Sequence, residues 1–161
     1  MRVEVAMSIL PAEKAREEVV VALMIGWKEY VDFPDWDIRR VKAKIDTGAR
    51  TSALDVRGYE LRQEPDGSMV AELKLALNRK RPAKLRVVEV PVLAMVTVRS
   101  SSGLPEERPL IETTLRLGSV FKRVRLTVTD RSRMRFPVIL GRKALEQDFV
   151  VNVSQKYIQR Q

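Results

Sequence analysis

The chemistry open to this chain is limited first by what it lacks: its 161 residues include no histidine and no cysteine. That excludes Ser-His and Cys-His nucleophilic arrangements, disulfides and ordinary zinc sites, and leaves only all-oxygen sites for a hard cation. Any reaction must be run by carboxylates, hydroxyls, lysines or arginines. Among the carboxylates, Asp46 has the unusual setting. It ends an alternating segment and opens Asp46-Thr47-Gly48-Ala49, within KAKIDTGARTSAL. The Thr47 hydroxyl can hydrogen-bond locally or to a neighbouring chain. Gly48 permits a backbone conformation, and an approach by another chain, that a Cβ would block.

One carboxylate is a poor hydrolytic catalyst. Two held about 3 Å apart share a proton, because both cannot ionise together. The ionised member then takes a proton from a water while the protonated member donates one to the scissile carbonyl, and the pair titrates as a unit. The chain has a single Asp-Thr-Gly, since Asp130-Arg131-Ser132 is not a second copy. The simplest way to supply a pair is a C2 homodimer with Asp46 of each subunit at the axis. Taken alone, the tripeptide reads better as an Asp capping a strand-end turn. What changes its weight is Val138-Ile139-Leu140-Gly141-Arg142, a late apolar run whose glycine leads into a helix.

The elements that must hold these residues are mostly strands. Val19 to Gly26 reads as a buried strand, WKEYVDF alternates, and Val41, Ala43 and Ile45 alternate with Arg40, Lys42 and Lys44 up to Asp46. TSALDV forms the next strand, and Glu64-Pro65-Asp66-Gly67 turns between strands at 59–63 and 69–77. Leu85 to Val98 contains Pro91, which predicts a break or a bend at a sheet edge. LIETTLRL and FKRVRLTV form a hairpin around Gly118-Ser119. RKALEQDF is the one helix, and FVVNV and KYI close the chain as short strands. Ala12 to Glu18 reads as a helical turn or a flexible arm. This is an all-β pattern, a closed barrel or sandwich with one short C-terminal helix.

Charge is uneven. Of 30 Lys/Arg and 21 Asp/Glu in all, residues 1–60 hold 10 and 11, a net of −1, so residues 61–161 carry a net of +10. A basic C-terminal two-thirds suits nucleic acid, anionic surfaces or acidic peptides as partners, or simply a solvated basic surface. The longest apolar run, Val19 to Gly26, is far too short to span a bilayer, and Glu4, Glu13, Glu17 and Glu18 before it are wrong for a secretory signal. The expectation is a soluble, cytoplasmic protein with no membrane partner.

The order of IDTGA, a polar glycine-containing hairpin, an apolar hairpin and ILGRKAL is that of retropepsin-like aspartic proteases. More closely, GWKEYVDFP, KAKIDTGARTSAL, VRSSSGLPEERPLIETTLRLG and MRFPVILGRKAL resemble a bacterial retropepsin-like aspartic protease family known under the label ATP-dependent zinc proteases, over residues 25–153. The resemblance implies a protease domain at 25–161, preceded by an N-terminal extension at 1–24 that is an arm or an added strand. It implies that Asp46 is catalytic, that Thr47, Gly48 and Ala49 complete the active-site turn, and that Ile139, Leu140, Gly141 and Arg142 support it from beneath. Val96 to Pro109 becomes the flap over a bound peptide, with Ser100, Ser101, Ser102 and Gly103 at its tip, although an ordinary solvated loop is the other reading.

The sequence departs from the family in three ways. The label promises zinc and ATP, yet there is no His, no Cys and no Gly-x-x-x-x-Gly-Lys-[Ser/Thr] loop, so no metal and no cofactor are expected. Viral relatives usually carry an Asp where Arg50 stands, paired with the Arg after the late glycine, so Arg142 needs another partner. Asp55 stands where relatives often have His.

The expected function is a homodimeric aspartic endopeptidase acting on a peptide or protein. Arg50, Arg99, Ser101, Ser102, Gly103 and Arg108 are the candidate substrate-binding residues. Their arginines favour acidic or glutamate-rich segments, and relatives are often linked with ATP-grasp ligases that add glutamates to proteins. Arg50 could instead pair with Asp55 or with a partner-chain carboxylate. The competing function is a non-catalytic basic β-barrel that binds nucleic acid, through NRKRPAK and RSRMR, or acidic peptides. Nucleic acid is less favoured, because the aromatics after residue 61 look like core apart from Tyr157.

Overall fold

The computed structural model describes residues 2–7, 18–81, 83–99, 103–130 and 135–159. The expected helical turn at 12–18 lies almost wholly outside these residues, and the flap-tip serines Ser100, Ser101 and Ser102 lie outside them entirely. Within them the chain forms β1 (Arg2–Met7), β2 (Glu18–Gly26), β3 (Lys28–Phe33), a 3-10 turn (Pro34–Trp36), β4 (Ile38–Ile45), β5 (Ser52–Asp55), β6 (Gly58–Gln63) and β7 (Met69–Leu75). Then follow β8 (Arg86–Arg99), β9 (Pro105–Leu117), β10 (Val120–Thr129), β11 (Val138–Leu140), α1 (Arg142–Leu145) and β12 (Phe149–Asn152). No helix among the described residues is long and apolar enough to cross a membrane.

Alternation in the sequence becomes alternation in burial. Val41, Ala43 and Ile45 of β4 point inward while Arg40 and Lys44 are exposed; on β9, Ile111, Thr113, Leu115 and Leu117 point inward. Six strands in the order β10-β5-β11-β4-β3-β9 close on themselves through the β9–β10 pairing, which leaves that barrel without a free edge. Phe33, Leu54, Ile111, Leu115, Leu117, Leu126 and Leu140 fill it. The sheet continues from β9 through β8 and β7 to β6, and a separate three-stranded sheet joins β1, β2 and β12. The all-β closed barrel with one short helix is therefore the architecture.

Three local expectations need correction. Pro91 does not break its strand, but the other expectation, a bend, is there: β8 runs through the proline, paired with β7 up to Val92 and with β9 from Val92 onward, with a bulge between Val92 and Ala94. The proline sits where the strand changes partners, and there its missing N–H costs little. The helix expected over RKALEQDF stops after four residues. Gln147 takes a left-handed backbone (φ 73°) and the Asp148 carbonyl accepts Leu23 N–H at 2.8 Å, so entry into β12 ends the helix. KYI is not a strand. Residues 155–159 form a hook instead, in which Gln155 O accepts Trp27 N–H and Tyr157 N–H donates to Lys28 O.

The hook is held by a buried acid. Glu29 is fully buried on β3, and its carboxylate accepts Gly26 N–H and Ile158 N–H on Oε2 and Gln159 N–H on Oε1, at 3.0–3.1 Å. Three charge-assisted bonds offset the cost of burying that charge.

Candidate active site

Asp46 lies at a junction that the topology creates. β4 and β5 follow one another in sequence but are not neighbours in the sheet, because β11 lies between them, parallel to β4 and antiparallel to β5. The connection 46–51 therefore has to pass over the end of β11. Asp46 N–H donates to Leu140 O at 2.8 Å, extending the pairing of Ile45 with Leu140 by one step. The turn then closes on itself, with Ala49 N–H donating to Asp46 O at 3.2 Å and Gly48 N–H to the Asp46 carboxylate Oδ1 at 3.1 Å. A backbone donor thus orients the carboxylate, whose residue is only partly covered.

The far side of the turn is fixed to the start of α1. Arg142 N–H donates to Ala49 O at 2.8 Å and Lys143 N–H to Arg50 O at 3.1 Å. The Arg142 guanidinium donates to Thr47 O at 3.0 Å, so its partner is a backbone carbonyl rather than a carboxylate. Gly141 is needed for this closeness: a Cβ there would lie 2.5 Å from Thr51 O and 2.9 Å from Ala49 O. Ser52, which the sequence did not single out, is buried with its hydroxyl accepting Gly141 N–H at 3.0 Å. A lone serine between Thr51 and Ala53 gives no sign of this; its meaning comes only from being buried against Gly141.

The structure thus brings Asp46, Thr47, Gly48, Ala49 and Arg50 together with Leu140, Gly141 and Arg142, while the half-buried Ile139 pairs within β11 with Lys44 and Ala53. Arg50 is exposed, and it does not pair with Asp55, which is buried and hydrogen-bonded to Arg79. A hollow of about 580 Å³ runs from Arg50 and Thr51 to Leu110 and Glu112 of β9. Arg108 lies on the same side of β9 as Leu110, by strand alternation. It is 7% exposed, its Nη2 donates to Glu106 at 3.0 Å, and its buried Nε has no hydrogen-bond partner. Arg99 and Gly103 sit farther out along the β8–β9 hairpin, Arg99 opposite Pro105 and Gly103 with a left-handed backbone (φ 80°).

On the other side of the turn a second hollow, of about 680 Å³, is lined by Thr47, Arg50, Arg142, Leu145, Phe149 and Val151, among others. Among the described residues no three acidic, histidine or cysteine side chains come together as metal ligands.

Comparison with known proteins accords with this geometry. The chain is 33% identical over 137 residues to a protein of Shewanella pealeana named probable alpha-L-glutamate ligase, covering 83% of this chain and 29% of the relative. A protein of the same name from Desulfotalea psychrophila is 30% identical over 129 residues, covering 80% of this chain and 28% of the relative. The chain thus spans under a third of the length of these curated relatives. A crystal structure of a Legionella pneumophila protein of unknown function shares the fold, with a TM-score of 0.70 at 20% identity over 85% of this chain and 98% of that one. The model of the RimB-like family, described as retropepsin-like aspartic endopeptidase RimB, matches residues 24–161, and the chain belongs to that family.

Proposed function

We propose that this chain is an aspartic endopeptidase that works as a homodimer, with Asp46 of each copy at a shared axis. The observation that carries the reading is the Asp46 turn, a carboxylate oriented by Gly48 N–H on a loop tied down at both ends, in a chain of the RimB-like family. In the proposed reaction the two carboxylates hold one proton between them. The ionised Asp46 takes a proton from a water as its oxygen bonds to the scissile carbonyl carbon. The protonated partner gives its proton to the carbonyl oxygen. The tetrahedral gem-diol then collapses: the C–N bond breaks, the nitrogen takes up a proton from a carboxyl group, and an acid and an amine leave. Thr47, Gly48 and Ala49 hold the turn, while Ile139, Leu140, Gly141 and Arg142 keep it from sagging into the barrel.

The apolar part of the larger hollow, Leu145, Phe149 and Val151 beside Thr47, supports a second copy docking at this side of the turn. In the peptide cleft, Arg50 and Arg108 would take acidic side chains, with Arg99 and Gly103 farther out along the β8–β9 hairpin. The unpartnered Nε of the buried Arg108 supports that role. The name of the curated relatives suggests glutamate-rich segments as the substrate. The test is mass spectrometry of glutamate-rich and neutral peptides after incubation with wild type and with Asp46→Asn. Asp46→Asn should lose hydrolysis by about 10²-fold or more while keeping its fold and assembly. Undiminished cleavage by that variant sinks the reading. Peptide binding without cleavage by wild type favours the alternative, a non-catalytic barrel for acidic peptides.

A further inference from the structure

The outer face of β3 and β4 carries a set of cations that peptide hydrolysis does not use. Alternation turns Lys28 and Tyr30 of β3, and Lys42 and Lys44 of β4, away from the buried Glu29, Val31, Val41 and Ala43. The register sets Lys28 opposite Lys44 and Tyr30 opposite Lys42. The hook adds a second layer: Tyr157 stacks on Tyr30 with centroids 4.5 Å apart, and the Arg40 guanidinium lies 4.6 Å from the Tyr30 ring. Both neighbours of Tyr30 have left-handed backbones, Arg40 at φ 55° and Tyr157 at φ 50°. The Lys28 ammonium sits 4.6 Å from the Trp27 ring and 5.3 Å from that of Tyr157, which fixes its position by cation–π attraction.

Among the described residues, Lys28, Lys42, Lys44, Arg135 and Lys156 form no salt bridge. Desolvation first, and then the charges of Lys156, Arg135 and Lys42, lower the Lys28 pKa below its ordinary value. Like charges gathered on one sheet face are a liability unless an external polyanion binds them.

We propose that this face docks single-stranded nucleic acid, its phosphates held by Lys28, Lys42, Lys44 and Lys156 and a base lying against the half-exposed Trp27. Its place in the fold separates it from the peptide cleft: Lys28, Lys42 and Lys44 lie on the outer face of β3 and β4, whereas Arg50 lies in the Asp46 turn and Arg108 on β9. An ammonium holds a phosphate as a point charge. A net charge of +9 and a pI near 10.2 fit a long polyanion better than a short peptide. The face was hidden in the sequence because its aromatic and basic residues come from opposite ends of the chain, 27–44 and 135–157.

The experiment is fluorescence anisotropy of a short labelled oligouridylate, titrated with the full chain at several salt concentrations. Binding should weaken with salt, with a slope of about −0.7 per phosphate contacted. The double variant Lys42→Glu/Lys156→Glu should lose tenfold or more in affinity. Arg57→Glu/Lys74→Glu, the same charge change beside the β6–β7 pair, should lose less than twofold. In a Trp36→Phe background the remaining Trp27 fluorescence should be quenched on binding. Asp46→Asn should bind like wild type, so the outcome does not depend on the protease reading. The proposal is overturned by no binding at low salt, by equal losses in the two double variants, or by loss of binding in Asp46→Asn. It is also overturned if a polyglutamate peptide occupies this face and the oligouridylate does not displace it.

Discussion

A side chain at position 141 would have to enter the carbonyls of Ala49 and Thr51. Gly141→Ala should therefore push the Asp46 turn off β11, at a cost of about 1–3 kcal/mol for the overpacking. At this chain length that corresponds to a fall in Tm of roughly 2–4 °C per kcal/mol in a thermal melt. A melt unchanged from wild type would mean that the turn has room to relax. At this scale the sequence was legible where a residue type alone narrows the chemistry. Asp46 stood out because, with His and Cys absent, a carboxylate in a glycine turn was one of few groups able to do hydrolytic work. Ser52 and the Arg142–Thr47 contact were not legible. A hydroxyl or a guanidinium can take many partners, and the choice was made by β11 passing beneath the turn.

The hook shows why alternation alone misled at the level of elements. Residues 156–158 have the spacing of a strand, yet the Glu29 carboxylate offers their neighbourhood better acceptors than a sheet edge does, and Tyr157 turns left-handed to reach Tyr30. Burial raises the Tyr157 phenol above its ordinary value of 10.0, with Tyr30 and Glu29 adding to the effect. A phenol whose pKa is raised by folding contributes stability that is complete below the unfolded value and is lost as pH rises through the folded one. The hook should therefore hold through neutral pH and loosen above about pH 10. An absorbance titration of the three tyrosines should show one ionising late, and Tyr157→Phe should remove that late step. If all three titrate together in wild type, Tyr157 is not shielded. β8 was misread for a related reason: Pro91 looks like a break only if one partner strand is assumed along its whole length.

For the whole molecule, the closed barrel was readable from its many short alternating strands and the β9–β10 hairpin from Gly118-Ser119, but the insertion of β11 between β4 and β5 was not. Alternation says which face is buried and nothing about which strand lies next door. The proposed enzyme should sediment as a dimer at micromolar concentration, and a monomer with full hydrolytic activity would contradict the shared proton. The small sheet has a consequence in time. β2 pairs in parallel with β12, Leu23 beside Phe149, so its partners are separated by nearly the whole barrel in sequence. Closing so long a loop is entropically costly until the intervening strands have compacted, so the β2–β12 pairing is expected to form late and to open early. Native-state hydrogen exchange should find the amides of 23–26 and 149–152 released by small openings, while those of Ile45 and Leu126 wait for the barrel itself to unfold. The pairing of residues 23–26 with 149–152 would then act as a latch set only after the barrel, and with it the platform beneath Asp46, is complete.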